Sequence, residues 1–171
     1  MLGRTFFPGF ALVVVLCVLW AGAARAQNAP GASKDPATLQ QAADKGDARA
    51  QATLGGMYLQ GQGVPQDLAK AATLLQKAAD QGDVWAQNLL GQMCIGGDNV
   101  PQDDAKGVAL LQKAMDQGGV YGLLAQSLLG NFYVQGLAGL KDAEKGCRLL
   151  RDVTAKGLSG EQKTLNRYCA K

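Results

Sequence analysis

The chain contains no histidine. This absence excludes catalytic triads and dyads that use histidine as the base, and it excludes metal sites with histidine ligands. The sequence also lacks the Gly-x-Ser-x-Gly and Ser-x-x-Lys motifs of activated serine nucleophiles. Asp98, Asp103 and Asp104 do not have the spacing of a calcium-binding loop. We therefore expect no enzymatic activity, no metal and no cofactor.

Charge of either sign is scarce. The chain has 17 Lys and Arg against 14 Asp and Glu, and Arg4 and Arg25 fall in an N-terminal segment that we expect to be removed. The remaining balance is close to neutral, so nothing indicates nucleic-acid binding. Basic residues are enriched near the C-terminus, where Lys141, Lys145 and Arg148 are predicted to share a helix face. That face is either solvated surface or a site for an acidic partner.

Only the N-terminus carries a long apolar run. Arg4 precedes an apolar segment over residues 10–20, and Ala24-Arg25-Ala26 fits the small-x-small rule of a signal-peptidase site. The alternative is an uncleaved membrane anchor, but Pro8 and the shortness of the run disfavour it.

These features predict three segments. We expect a signal peptide over residues 1–26 with cleavage after Ala26, a flexible leader over 27–35 and a repeat domain over 36–171. Cleavage would place the protein in the periplasm or outside the cell, with no stable membrane insertion.

The repeat domain is indicated by a pattern that recurs. Gly46-Asp47 returns as Gly82-Asp83, a spacing of 36 residues, while the third copy carries a three-residue insertion. The repeats are assigned to residues 46–81, 82–117, 118–156 and, in part, 157–170. A half-unit precedes them from residue 36. A period of this size is typical of a solenoid of stacked units.

Within each unit the apolar spacing is helical. Ala50, Leu54, Met57 and Tyr58 form a stripe at i, i+4, i+7 and i+8. A Gly-Gln-Gly-Val-Pro stretch over residues 61–65 cannot continue a helix, so a second helix is expected after it. The second helices are expected to begin at Asp67 and at Asp103 or Asp104, and to end at Gly46, Gly82, Gly118 and Gly157. Mid-helix glycines at positions 55, 91 and 130 are expected where a partner helix approaches closely.

This pattern resembles the Sel-one-like repeat (SLR) family, relatives of the tetratricopeptide repeat. The matching stretches are residues 86–93 (AQNLLGQM), the loop 61–65 and residues 74–82 (LLQKAADQG), and the resemblance spans 36–170. It implies an all-α fold, an alpha-alpha solenoid of helix hairpins with three full repeats between two half-repeats. A right-handed superhelix is expected from the same resemblance.

In such arrays the first helix of each unit tends to line the concave face. The outward positions there are the candidate partner-binding residues: Arg49, Trp85, Asn88, Gln92, Tyr121, Asn131 and Gln135. Trp85 stands where the other units have Arg49 and Leu124, so it is either an anchor for a partner or a side chain packed between units.

Three cysteines follow the predicted cleavage site. Cys147 and Cys169 lie 11 residues on either side of position 158, where a helix hairpin is expected to turn. An antiparallel hairpin would bring them level, so we predict a disulfide; two reduced thiols are the alternative. Cys94 has no partner at the equivalent position and is interpreted as a buried thiol, with an intermolecular bridge as the alternative.

The resemblance implies an exported protein–protein interaction module with a protein partner of unknown identity, such as an envelope adaptor, a sensor-kinase inhibitor or an immunity protein. A monomer is compatible with the sequence. The alternatives are a cell-wall-binding or beta-lactamase-like envelope protein and a structural spacer. The chain lacks the dense paired cysteines of the beta-lactamase-like branch and a nucleophile with a base.

Overall fold

The computed structural model describes residues 35–97 and 100–169. The predicted signal peptide and nearly all of the predicted leader lie outside these residues. The helices are α1 (Pro36–Asp44), α2 (Ala48–Gln60), α3 (Leu68–Asp80), α4 (Val84–Gly96), α5 (Asp104–Gln117), α6 (Gly119–Gln135), α7 (Ala143–Ala155) and α8 (Gln162–Tyr168). A short 3-10 segment, Ser159–Glu161, precedes α8, and no strand occurs in the described chain. The all-α prediction is confirmed.

The helices pair as three full hairpins between two single helices. The hairpins are α2 with α3, α4 with α5 and α6 with α7, and each helix also packs on the next one along the chain. The first helices of neighbouring hairpins contact each other as well, α2 with α4 and α4 with α6. Within the described residues no comparable contacts join the second helices. The first helices therefore form the more closely spaced side of the stack, as expected for a groove.

Aspartate side chains cap the starts of most helices. Each capping carboxylate accepts a hydrogen bond of 2.8 to 2.9 Å from the backbone N–H three residues later. The capping residues are Asp35, Asp47, Asp67, Asp83, Asp103 and Asp142. The exceptions are α6, which follows Gly118, and α8, which follows Glu161; neither has a side-chain cap. Such a cap is worth about 1 kcal/mol, so these aspartates fix where most of the hairpins begin.

Glycines allow the two helices of each hairpin to approach closely. A Cβ atom on Gly55 would lie 2.9 Å from Leu75 Cγ, and one on Gly91 would lie 3.0 Å from the carbonyl oxygen of Gly107. Leu75 is completely buried at this contact. The close approach predicted for these positions is confirmed, and it offsets the low helix propensity of glycine.

A disulfide joins the last hairpin to α8. Cys147 on α7 is bonded to Cys169, and their Cα atoms are 5.7 Å apart. The bond closes an interval of 22 residues. Cys94 is a free cysteine and only 2% exposed. Among the described helices, none is both long enough and apolar enough to span a bilayer.

Candidate functional site

The predicted partner-binding residues lie on the first helices of the three hairpins. Arg49 is on α2, three residues are on α4 and three are on α6. Trp85, Asn88 and Gln92 are spaced i, i+3 and i+7, so they share one face of α4. We define the groove face as the side of the first helices that carries both exposed and buried members of this set: Arg49, Gly56, Trp85, Asn88, Gln92, Tyr121, Ser127 and Asn131.

Trp85 connects three helices of the groove face. A Cβ atom on Gly56 of α2 would lie 2.6 Å from Trp85 Cη2, so the indole occupies the space above this glycine. The ring centroids of Trp85 and Tyr121 are 6.1 Å apart, which is within the range of aromatic pairs. Trp85 also packs on a buried cluster that includes Ala52. Both aromatic side chains are nevertheless half-buried, so part of each remains at the surface.

Asn88 differs from the expectation that it points outward. Asn88 is only 3% exposed, and its Nδ2 donates a hydrogen bond of 3.0 Å to the carbonyl oxygen of Tyr121. Gln92 Nε2 donates to Asn88 Oδ1 at 2.8 Å. Asn88 therefore ties α4 to the start of α6, and a partner would reach Gln92 instead.

A polar cluster joins α6 to the segment before α8. Ser127 Oγ donates to Glu161 Oε1, and Asn131 Nδ2 donates to Glu161 Oε2 at 2.9 Å. Glu161 was not among the candidates predicted from the sequence, because it has the same position in its repeat as the apolar Ala86. The cluster positions α8 beside α6 and extends the polar part of the groove face.

Arg49 and Gln135, the first and last candidates along the chain, differ in their contacts. The side chain of Arg49 is 54% exposed, and its Nη1 lies 3.8 Å from Asp83 Oδ2 on the neighbouring unit. Most of the guanidinium donors of Arg49 remain available to a partner. Gln135 is exposed at the end of α6.

The basic helix face predicted near the C-terminus is only partly present. Lys141 precedes α7, which begins at Ala143, so it does not share that helix with Lys145 and Arg148. Lys145 Nζ donates to the Tyr133 hydroxyl at 2.7 Å and lies 4.4 Å from the centre of the ring. Lys145 is thus engaged within the fold, while Lys141 and Arg148 are exposed.

The described residues contain no group of three or more potential ligands that could hold a metal ion. The reactive side chain that the fold encloses is the thiol of Cys94. Burial raises the pKa of Cys94, with Lys106 and Asp103 acting in opposite directions to smaller extents. A thiol with a raised pKa is a poor nucleophile at neutral pH.

The Sel1 repeat family model matches residues 48–83, 86–119 and 123–151. The crystal structure of a Sel1 repeat protein from Oxalobacter formigenes is 30% identical, with a TM-score of 0.62, covering 77% of this chain and 96% of that one. A protective antigen present in uropathogenic Escherichia coli strains, displaying an SLR fold, is 32% identical with a TM-score of 0.64. That match covers 70% of this chain but only 25% of the antigen. No curated protein matches the chain.

Proposed function

Because the chain belongs to the Sel1 repeat family, we propose that it is an exported interaction module that binds a protein partner through the groove face. Sel1 repeat proteins generally mediate protein–protein interaction, and their arrays are typically non-catalytic scaffolds. The groove face supplies recognition contacts. Among the described residues, it contains no nucleophile paired with a base. The typical role of the family and these contacts both support a binding function.

The Trp85–Tyr121 pair is the observation that carries this proposal. Its rings lie 6.1 Å apart between α4 and α6, and both side chains are half-buried. Large aromatic side chains that are fixed by packing lose little conformational entropy on binding, which makes them effective anchors. The contact of Trp85 with Gly56 holds the indole in place before a partner arrives.

The polar groups elsewhere on the groove face favour a partner segment that brings hydrogen-bond donors. Gln92 already donates its Nε2 to Asn88, and Asn131 donates its Nδ2 to Glu161 and to the carbonyl oxygen of Ser127. The amide oxygens of Gln92 and Asn131 are therefore the groups left for a partner. Backbone N–H groups of an extended segment would satisfy them.

Export is supported by two independent features. The N-terminal pattern up to Ala26 is that of a cleaved signal peptide. The bond between Cys147 and Cys169 is of the kind that persists in oxidising compartments. Together they favour the periplasm or the extracellular space as the place where the partner is met.

The proposal is tested by expressing the full chain in a Gram-negative host and purifying it from the periplasm. The expected N-terminal residue of the purified protein is Gln27. The protein is then immobilised and used to capture partners from an envelope extract of its source organism, beside the Trp85→Ala and Tyr168→Ala variants. Tyr168 is 43% exposed and lies outside the groove face, so its variant controls for the loss of an aromatic side chain.

The proposal predicts a protein that is captured in saturable amount by the wild type and by Tyr168→Ala, and much less by Trp85→Ala. Equal capture by all three proteins would place binding elsewhere. Capture of cell-wall fragments without a protein would overturn the proposal in favour of a wall-binding role.

A further inference from the structure

A pocket lies between α7 and α8, on residues that are not part of the groove face. Its volume is about 410 Å³, which is within the range of small ligand sites. Its lining includes Arg151, Thr154, Gln162, Leu165, Asn166 and Cys169. We propose that this pocket binds a carboxylate of an acidic protein segment, with Arg151 and Asn166 as the donors.

Arg151 supplies the charge of the pocket. Its Nη2 donates a hydrogen bond of 3.3 Å to the carbonyl oxygen of Cys169. The guanidinium has five N–H donors in a planar fork that matches a carboxylate, so most of them stay available. No acidic side chain lies within ion-pair distance of Arg151 in the described part of the chain. Because Cys169 is bonded to Cys147, the disulfide also fixes the group that orients Arg151.

Asn166 supplies a second donor, from the α8 side of the pocket. Its Oδ1 accepts a hydrogen bond of 3.0 Å from Gln162 Nε2. This bond assigns the orientation of the amide and leaves Asn166 Nδ2 as a donor without an acceptor among the described residues. The pocket is therefore lined by potential donors from two different helices.

The surroundings of the pocket favour an anion. Residues 141–171 contain eight Lys or Arg and four Asp or Glu. Asp142 is engaged as the cap of α7, and Glu161 accepts hydrogen bonds from α6. No Lys or Arg of this segment forms an ion pair within the described residues. The excess positive charge would attract an acidic segment, and salt would weaken that attraction.

The shape of the lining favours a carboxylate on a short apolar stem. Leu165 is 9% exposed beneath the pocket, and Ala155 completes its apolar side. A glutamate side chain combines methylene groups with a terminal carboxylate, so it satisfies the apolar wall and the donors together. A C-terminal carboxylate presents the same terminal chemistry, and the test below separates the two sources.

The test measures binding of a fluorescein-labelled, amidated oligoglutamate peptide by fluorescence polarisation. The Arg151→Gln variant is compared with Arg148→Gln, which removes the same charge from the same helix at a residue outside the pocket. We expect Arg151→Gln to weaken binding about tenfold, the effect of losing a charged hydrogen bond. Arg148→Gln should change it less than about twofold, because its charge lies outside the pocket and contributes only a screened attraction. A neutral peptide with a free C-terminus, measured in parallel, shows whether a terminal carboxylate is sufficient.

Several results would overturn the proposal. Equal losses in the two variants would mean that only the general positive charge attracts the peptide. Absence of oligoglutamate binding would also contradict the proposal. Equal binding of an amidated oligoglutamine peptide would contradict it too, and this comparison of two peptides uses the wild-type protein alone. Binding to phosphatidylglycerol vesicles without binding to either peptide would assign the basic surface to a membrane.

Discussion

The indole of Trp85 lies directly over Gly56, so that a Cβ atom added at Gly56 would come within 2.6 Å of Trp85 Cη2. The tryptophan of the second hairpin thus requires a glycine on the first. Tyr121 of the third hairpin contacts the same indole. The aromatic position of the groove face is therefore built by three successive hairpins.

Replacing Gly56 by alanine should displace Trp85 and lower stability. Alanine gains up to about 1 kcal/mol of helix propensity over glycine, but overpacking at such a contact costs about 1 to 3 kcal/mol. We expect a net loss of about 1 kcal/mol in urea unfolding, with a change in the fluorescence of Trp85. Gly160→Ala is the control, because a Cβ there meets nothing within 4 Å. Equal stability of the two variants would contradict the contact.

Loss of the disulfide should destabilise the fold measurably. The bridge from Cys147 to Cys169 closes 22 residues, for which chain entropy predicts about 3 kcal/mol. We expect dithiothreitol to lower the urea midpoint of the wild type but not that of a variant with both cysteines replaced by serine. Non-reducing peptide mapping should recover this pair and a free Cys94. A wild-type midpoint unaffected by reduction would refute the stabilising role.

Buried glutamines connect successive units and should be sensitive to replacement. Gln51 Nε2 donates to the carbonyl oxygen of Ala43 at 3.0 Å, and Gln51 Oε1 accepts from Gln81 at 2.8 Å. Gln51→Leu should cost about 1 to 3 kcal/mol, because buried polar groups lose their partners. The matched control is Gln66→Leu, whose bond to the Leu59 carbonyl oxygen is exposed and can be replaced by water. Similar losses in thermal unfolding of the two variants would contradict this explanation.

Burial of Cys94 should make stability fall at alkaline pH. Desolvation raises the pKa of this thiol in the folded state, so the unfolded thiol ionises first as pH rises. The free energy of unfolding should therefore decrease above the ordinary thiol pKa of about 8.5. The decrease should be smaller in Cys94→Ala, whatever that variant's stability at neutral pH. If the free energy of unfolding had the same pH slope in both proteins, Cys94 would have the same protonation in the folded and unfolded states, and the prediction would be wrong.

Features that depend on repetition could be predicted from the sequence. The offsets of Asp67 and Asp103 identified the helix starts, and both residues cap helices in the structure. The equal distances of Cys147 and Cys169 from the predicted turn agree with the bond between them. The capping predictions succeed because each unit faces the same local constraints of capping, helix period and close packing.

Apart from the disulfide, the side-chain contacts that join different units could not be predicted. Asn88 was expected outside but is buried against Tyr121, since its environment depends on the inserted turn of the next unit. Glu161 contacts Asn131 across 30 residues, and no repeated spacing marks it. The contact of Trp85 with Gly56 likewise depends on the distance between neighbouring first helices. The proposed recognition residues take part in these contacts between units, so the sequence predicts the fold better than it predicts the partner.

The most direct test of binding at the groove face uses Trp85 as its own reporter. Trp85 is the one tryptophan after residue 26, so 5-fluorotryptophan would label the segment 27–171 at a single position, on the groove face. We predict that the fluorine resonance of Trp85 shifts on addition of the captured partner and saturates with binding. A partner that binds with full stoichiometry and leaves this resonance unchanged would contradict recognition through the groove face.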